Sequence, residues 1–280
     1  RIPLGNGVEI PVIGLGTYKL GRTDNDVYNA VRSALDMGYR HIDTATLYHN
    51  ERPVGKAIRE SGVARDEVFV TTKLWGSDVL RGNVQGAFDT SLQNLGLDYL
   101  DLYLVHWPVK GHVGATWKHM EAIYRSGKAR AIGLSNHLVH HMEEILADAA
   151  IMPAVNQVEL HPYLLSDDLL AYCARQSITV EAWSPIGSNK IPLLSEEVLK
   201  ELEGKYGKSP AQIVLRWHLE KGVVAIPKSS NPGRQKENIQ IFDFRLTERE
   251  IARIDALDRG HRTGKHPDEI EFGMSSGGLY

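Results

Sequence analysis

Eight short runs of apolar and β-branched residues, each separated from the next by a stretch with helical periodicity, constrain this chain more than any other feature. The runs are Val12–Leu15, Arg40–Thr44, Val68–Lys73, Asp101–His106, Arg130–Leu134, Ala154–Glu159, Thr179–Trp183 and Val223–Pro227. Parallel strands need crossovers of a dozen or more residues, and a helix is the usual crossover. Leu102-Tyr103-Leu104-Val105 and Val223-Val224-Ala225-Ile226 are apolar on both faces, as strands are when helices cover a closed sheet. Eight such units in 280 residues fit the about 250 residues of a (β/α)8 TIM barrel. An open doubly wound sheet is the competing α/β arrangement. No linker, low-complexity tract or composition break marks a second domain. Residues 1–280 are therefore read as one domain, with an N-terminal lead-in and a tail over 259–280.

Helix ends are legible between these runs. Asp24 is a candidate cap, followed by Val27, Val31, Ala34 and Leu35 on one face and Gly38 as a stop. Val84, Phe88, Leu92 and Leu95 share a face that ends at Gly96. Ser195 reads as a cap with Glu196 and Glu197 in the first turn, where the helix dipole favours acids. Ser209-Pro210 opens a further helix with proline at its tolerated first position. Thr247-Glu248-Arg249-Glu250 fits the capping box of a last helix through Ile251, Ile254 and Leu257.

Charge and cysteine usage narrow the partners. Lysine and arginine total 32 against 35 acids, which gives no field to attract nucleic acid or an anionic membrane. Cys173 is the single cysteine, so no internal disulfide forms and a reducing compartment is expected. No run approaches the ~20 apolar residues of a membrane span, and no signal-peptide core opens the sequence. A soluble cytoplasmic protein is the expectation.

A (β/α)8 barrel places its active site in the loops after the C-terminal strand ends. Those positions hold Asp43 with Tyr48 five residues on, Lys73 and Trp75, His106-Trp107, Ser135-Asn136, Asn156-Gln157, Glu159 and His161, Trp183-Ser184, and Pro227-Lys228-Ser229. Each has a structural explanation when taken singly. Four ionisable groups at successive strand ends are harder to explain that way. A lysine at the end of an apolar strand needs a partner, and Asp43 is the nearest candidate. Tyrosine titrates near 10, and a close ammonium lowers that value towards the range of a useful general acid. A phenol, an ammonium, an aspartate and an imidazole together suit the protonation of an oxygen on which negative charge develops.

These residues resemble the aldo-keto reductase family. The resemblance is carried by Asp43-Thr44-Ala45-Thr46-Leu47-Tyr48 with Asn50-Glu51, by Thr72-Lys73-Leu74-Trp75, and by Leu102-Tyr103-Leu104-Val105-His106-Trp107-Pro108. Gly133-Leu134-Ser135-Asn136, Asn156-Gln157-Val158-Glu159-Leu160-His161-Pro162 and Ile226-Pro227-Lys228-Ser229 extend it, in the family's order, from about Gly5 to Asp258. It implies an NADPH-dependent (β/α)8 reductase of aldehydes, ketones or dicarbonyls, with the catalytic set Asp43, Tyr48, Lys73 and His106. It further implies that Ser135, Asn136 and Gln157 hold the nicotinamide carboxamide and that Trp183 stacks on the ring. Gly16 and Thr17 are assigned to the cofactor as well. Ser184, Ile186 and Ser188 would lie along the pyrophosphate. Lys228, Ser229, Ser230 and Arg234 would grip the adenosine 2′-phosphate, and Glu237 and Asn238 would meet the adenine. Tyr18, Trp75 and Trp107, with Tyr48 and His106, would line the substrate pocket, shaped further by the tail. A monomer acting on a small carbonyl compound is expected.

Elementary chemistry agrees with several of these assignments. Ser, Asn and Gln supply the donors and acceptors that an amide requires, an indole is a flat stacking surface, and Lys228 and Arg234 are cations suited to a phosphate. Gly14-Leu15-Gly16 does not begin a G-x-G-x-x-G fingerprint, because position 19 is lysine and no helix opens there. Within the family the chain is most similar to the bacterial 2,5-diketo-D-gluconate reductase branch, on Trp183, a brief loop at Ser188–Leu194 and His266-Pro267-Asp268-Glu269. The segment Ile270–Tyr280 departs from that pattern.

Two other readings stand beside this one. A metal-dependent barrel hydrolase would draw on His41, Asp43, His106, His137 and His161, with Lys73 as a possible metal bridge if carboxylated. It gives Tyr48 no role and places Lys228 where an acid is wanted. The other is an NADPH-binding barrel without useful turnover, since fold does not fix function.

Overall fold

The computed structural model describes residues 1–273. Eight parallel strands run in sequence order around one sheet: Leu15–Gly16 (β1), His41–Asp43 (β2), Phe69–Leu74 (β3), Leu100–Val105 (β4), Ala129–Ser135 (β5), Val155–Glu159 (β6), Thr179–Trp183 (β7) and Val224–Ala225 (β8). Parallel bonds from Gly14 N to Ala225 O (2.9 Å), Ala225 N to Val12 O (3.0 Å) and Gly16 N to Pro227 O (3.2 Å) join the first strand to the last. The sheet is thus a (β/α)8 barrel. β1 and β8 are shorter than the expected Val12–Leu15 and Val223–Pro227. They meet only at this closing seam, where Pro227 has no N–H to continue the ladder. No helix among the described residues is long and apolar enough to cross a membrane.

The lead-in is more than a tether. Ile2–Pro3 and Glu9–Ile10 pair as a short antiparallel hairpin, which was not anticipated. Leu4 and Ile10 from it pack with Phe69, Leu102, Leu104, Ala131, Val155 and Val224, sealing the apolar interior at the N-terminal end of the strands. The opposite strand faces, including Ile42, Val70, Tyr103 and Ile132, pack on the helices. Because side chains alternate along a strand, Asp43 and Lys73 lie on the same inward face as His41 and Thr71, two residues before each. By the same period Gln157, Glu159 and Glu181 point inward. The strands are therefore not apolar on both faces throughout: the interior turns polar towards the C-terminal ends.

The helix ends follow local chemistry, with two corrections. The helix Asp24–Asp36 is capped by Thr23, not Asp24. The Thr23 hydroxyl accepts from Asp26 N, and the Asp26 carboxylate accepts from Thr23 N in turn (3.0 Å), which places Asp24 in the first turn. Glu196, not Ser195, takes the cap position of Glu197–Tyr206, because Leu193–Ser195 closes a 3-10 turn of its own. Gly96 ends Val84–Leu95 in the left-handed conformation (φ 62°) that glycine adopts without strain. Thr247 forms the expected capping box with Glu250, and Ser209, the expected helix start before Pro210, forms a second one with Gln212.

Glu250 also binds the last helix to its neighbour. Its carboxylate accepts from Lys205 Nζ (2.6 Å), Tyr206 OH (2.7 Å) and Thr247 N (2.8 Å). Burial pushes this carboxyl up, but Lys205, Thr247 and Tyr206 outweigh it and hold it at about 2. A carboxyl depressed by folding stabilises the native state above its unfolded value, and that stability is lost as the pH falls through the folded value. Glu250→Gln is therefore expected to lower unfolding stability by about 2 kcal/mol near neutral pH, after allowance for the exposed Lys205. Denaturant titrations of both proteins should converge as the pH falls from about 5 towards about 2.

Candidate active site

The ends of β2 and β3 set the centre of the site. Lys73 is fully buried, and its ammonium donates to Asp43 Oδ1 (2.6 Å) and to the carbonyl of Thr44 (2.8 Å). Tyr48 follows β2 in a 3-10 turn, and its hydroxyl lies 3.5 Å from Lys73 Nζ, at the outer limit of a hydrogen bond. The His106 ring stands edge-on to Tyr48 with centroids 5.7 Å apart, and edge-on to Trp75 at 5.3 Å. Four residues drawn from three strand ends thus converge on one point.

The electrostatics correct one expectation. The Tyr48 phenol is pushed up to about 12, not down: burial dominates, and the opposing pull of Lys73 is too weak at 3.5 Å to reverse it. Burial also works against the Lys73 charge, but Asp43 and Tyr48 more than offset it, and the ammonium is held above its ordinary value. Burial drives His106 well below the usual imidazole range, helped by the nearby Lys73 charge, so the ring is neutral. Its Nδ1 is buried without a partner among the described residues. The set is a neutral phenol and a neutral imidazole beside a fixed ammonium, suited to giving a proton and a hydrogen bond to a developing oxyanion.

Beside this centre, β5, β6 and β7 build a cradle of amides. Asn136 adopts a positive φ of 60°, rare for a residue with a side chain and frequent at functional sites. Its Nδ2 donates to His106 O (2.9 Å) and to Ser135 Oγ (3.1 Å), while its Oδ1 accepts from the Trp183 indole (2.7 Å). The Ser135 hydroxyl donates to the backbone of Gln157 (2.9 Å), and the Gln157 amide donates to Asp43 (2.8 Å). Near the end of β1, the buried Thr17 hydroxyl has no partner among the described residues. Thr17 is tied to the second strand end through Asn50 Nδ2, which donates to its carbonyl (2.9 Å), and Asn50 is held in turn by Thr44 (2.7 Å). Gly16 sits at the closing seam, where an added Cβ would fall 2.8 Å from Ile226 O.

The remaining expected positions extend from this centre along the barrel rim. Ser184 and Ser188 both have positive φ, and their hydroxyls meet at 2.6 Å, with part-buried Ile186 between them. Lys228 and Ser230 are exposed at the exit of β8, while the buried Ser229 hydroxyl accepts from Asn231 N (3.1 Å). Asn231 caps the helix Pro232–Ile239, which presents Arg234 to solvent. Glu237 accepts from the Ser209 hydroxyl, and Asn238 is buried. On the other side Tyr18, half exposed, packs on Tyr48 at 5.1 Å, and Trp107 is part-buried directly after His106.

Three features went unanticipated. Phe272 stacks edge-on against Trp75 at 5.2 Å. Glu159 Oε1 accepts from Thr263 N and Thr263 Oγ1, both at 2.6 Å, and its Oε2 from Gly264 N (3.1 Å). This lays residue 264 so close that a Cβ there would stand 2.5 Å from the Trp183 ring. The third is Glu181, buried beneath the cradle. No local pattern marks the first two, since their partners lie about a hundred residues away or more. The described part of the tail thus reaches the site at two points, and residues 274–280 lie outside the described residues.

The histidines do not assemble a metal centre around Asp43. His41 sits 3.5 Å from Glu181, His137 Nδ1 lies 2.8 Å from the Ser135 carbonyl, and His161 pairs with Glu159 (3.1 Å). Among the described residues the ligating groups that do converge are His140, His141 and Asp268, a set that does not include Asp43. There His141 Nδ1 accepts from Leu138 N (3.1 Å), which puts the ring proton on the nitrogen facing Asp268 (3.1 Å) and leaves it no lone pair for a metal.

Known proteins are similar to this chain over most of its length. The aldo/keto reductase family pattern matches residues 12–259. A glyoxal reductase of Bacillus subtilis is 49% identical over 271 residues, covering 97% of each chain. A methylglyoxal reductase of Salmonella typhimurium is 44% identical, covering 96% of this chain and 97% of its own. The crystal structure of an aldo-keto reductase from a Medee basin deep-sea metagenome superposes with a TM-score of 0.93 at 44% identity, covering 97% of this chain and all of that one.

Proposed function

The chain belongs to the aldo/keto reductase family of oxidoreductases, and from that premise we propose that it reduces small aldehydes, ketones and dicarbonyls to alcohols using NADPH, with Tyr48 as proton donor. The observation that carries this reading is the contact of the Tyr48 hydroxyl with Lys73, itself paired to Asp43 at 2.6 Å. The reading takes the described residues as one barrel domain, whose tail over 259–273 shapes the pocket mouth. The inclusion of dicarbonyls is supported by the glyoxal and methylglyoxal reductases among its relatives.

The side chains present suit the cofactor. The orphaned Thr17 hydroxyl, the free Oε1 of Gln157 and the second lone pair of Asn136 Oδ1 are unmatched polar groups of the kind a carboxamide and a ribose phosphate would satisfy. NADPH supplies hydride when bound. Trp183 offers the stacking face, kept in place by its bond to Asn136 and by the segment at Gly264. Neutral His106 holds the substrate oxygen by a hydrogen bond. Tyr48 delivers its proton to that oxygen as charge builds there, and an alkoxide is basic enough to take a proton even from a phenol at about 12. Lys73 stabilises the phenolate left behind, while Asp43 keeps the ammonium in register. Tyr18, Trp75, Trp107 and Phe272 provide apolar walls that fit short carbonyl compounds.

The direct test is quenching of tryptophan fluorescence by NADPH, followed by the loss of reduced-nicotinamide absorbance on adding methylglyoxal. Binding without oxidation across a broad carbonyl panel would overturn the enzymatic reading. Arg234 and Lys228 carry no ion-pair partner among the described residues, as expected of cations held ready for a 2′-phosphate. Arg234→Ala is expected to raise the Kd for NADPH about 10- to 100-fold and leave that for NADH within about twofold. Calorimetry with both nucleotides decides it, and equal losses would remove the 2′-phosphate assignment.

A further inference from the structure

Gln157 makes two bonds from one atom. Its Nε2 donates to Asp43 Oδ2 (2.8 Å) and to Glu181 Oε2 (3.0 Å). Asp43, paired with Lys73, accepts hydrogen bonds only, so the amide atom between the two carboxyls is the nitrogen, and both its N–H groups are engaged. Its carbonyl oxygen is turned away from both, and no described residue donates to it. Asp43 alone decides which end of the amide faces inward. A single bond leaves the amide free to swing about that contact, whereas a second N–H bond fixes its plane.

Glu181 has little structural reason to be there. It is fully buried in β7, two residues before Trp183 and on the same face. Its Oε1 lies 3.5 Å from His41 Nε2 and has no hydrogen-bond partner. Burial, with Asp43 nearby, pushes the carboxyl up to about 8, and a half-satisfied buried carboxyl works against stability. The one good hydrogen bond it makes is to Gln157.

We propose that Glu181 is a positioning residue: by taking the second N–H of Gln157 it locks the amide plane, so that Gln157 Oε1 is held in place to accept the N–H of a nicotinamide carboxamide. The inference rests on the cofactor reading above and deepens it. A site built this way favours a ring that carries a carboxamide over one that carries a methyl ketone, because only the former has an N–H to give.

The test compares NADP+ with its 3-acetylpyridine analogue by tryptophan quenching, in the native protein and in Glu181→Gln and Glu181→Met. The native protein is expected to bind NADP+ about five- to tenfold more tightly than the analogue, the worth of one hydrogen bond. Glu181→Gln retains an acceptor for Gln157 and keeps that preference. Glu181→Met preserves length and packing but removes the acceptor, and the preference falls to about twofold or less. A merely structural role would weaken both nucleotides together and leave their ratio unchanged. Full preference in a folded Glu181→Met protein, or its loss in Glu181→Gln, would overturn the proposal. Equal binding of both nucleotides by the native protein would overturn it while leaving the cofactor reading intact. Binding of neither would sink the cofactor reading and the inference with it.

Discussion

Tyr48→Phe is expected to lower kcat for methylglyoxal reduction by about 10³-fold while NADPH binding stays within about twofold. The substitution removes one oxygen from a half-buried ring whose position is set by Tyr18 and His106, so the walls of the site remain. What is lost is the proton that must reach the substrate oxygen as it gains charge. His106 is no substitute, because burial keeps its imidazole neutral and a neutral imidazole is a far weaker acid than a phenol. Steady-state kinetics with a fluorescence titration of NADPH measure both quantities. Retention of activity within about tenfold would assign the acid to another group.

Lys73→Met has the second large effect, and it acts on stability and chemistry together. Removing the ammonium leaves Asp43 buried beside Glu181 with only Gln157 to satisfy it. Breaking a buried pair from one side costs about 3–5 kcal/mol, most of it the stranded charge. Without its lysine Asp43 has a carboxyl raised by burial, and stability attached to a raised value is present at low pH and lost as the pH rises through it. The variant should therefore recover part of its deficit as the pH falls from about 7 to about 5. Adding Asp43→Asn removes the stranded charge and should restore most of the stability without restoring turnover. Urea titrations at two pH values and kcat for the single and double variants read this out. A double variant that turns over normally would show that neither charge serves the chemistry.

The barrel was legible because its information is local. Eight apolar runs at helix-length spacing admit few arrangements, and the period of two along a strand brings Asp43 and Lys73 to the same inward face. The hairpin at Ile2–Ile10 was not legible. Its strands are two residues long, and it exists because the barrel floor formed by Phe69, Leu102 and Val155 needs a cover. The misplaced cap at Asp24 has a similar cause. Thr23 and Asp24 are both acceptable caps, and the bond that the Asp26 carboxylate accepts from Thr23 N chooses between them.

The sequence by itself determined the fold class, the family and the identities of Asp43, Tyr48, Lys73 and His106 as a candidate set, because each follows from residue type at a strand end. Tertiary structure alone decided what that set is electrostatically. Lys73 beside Tyr48 argues for a lowered phenol, yet the phenol stands at about 12, because desolvation depends on everything packed around it and outweighs one cation at 3.5 Å. It also decided which groups hold the site still. Glu181 reaches Gln157 from the neighbouring strand, Glu159 fastens Thr263 and Gly264 from 104 and 105 residues away, and Phe272 closes on Trp75. Such contacts depend on how a closed sheet brings distant segments together, and no local pattern in the chain encodes that distance.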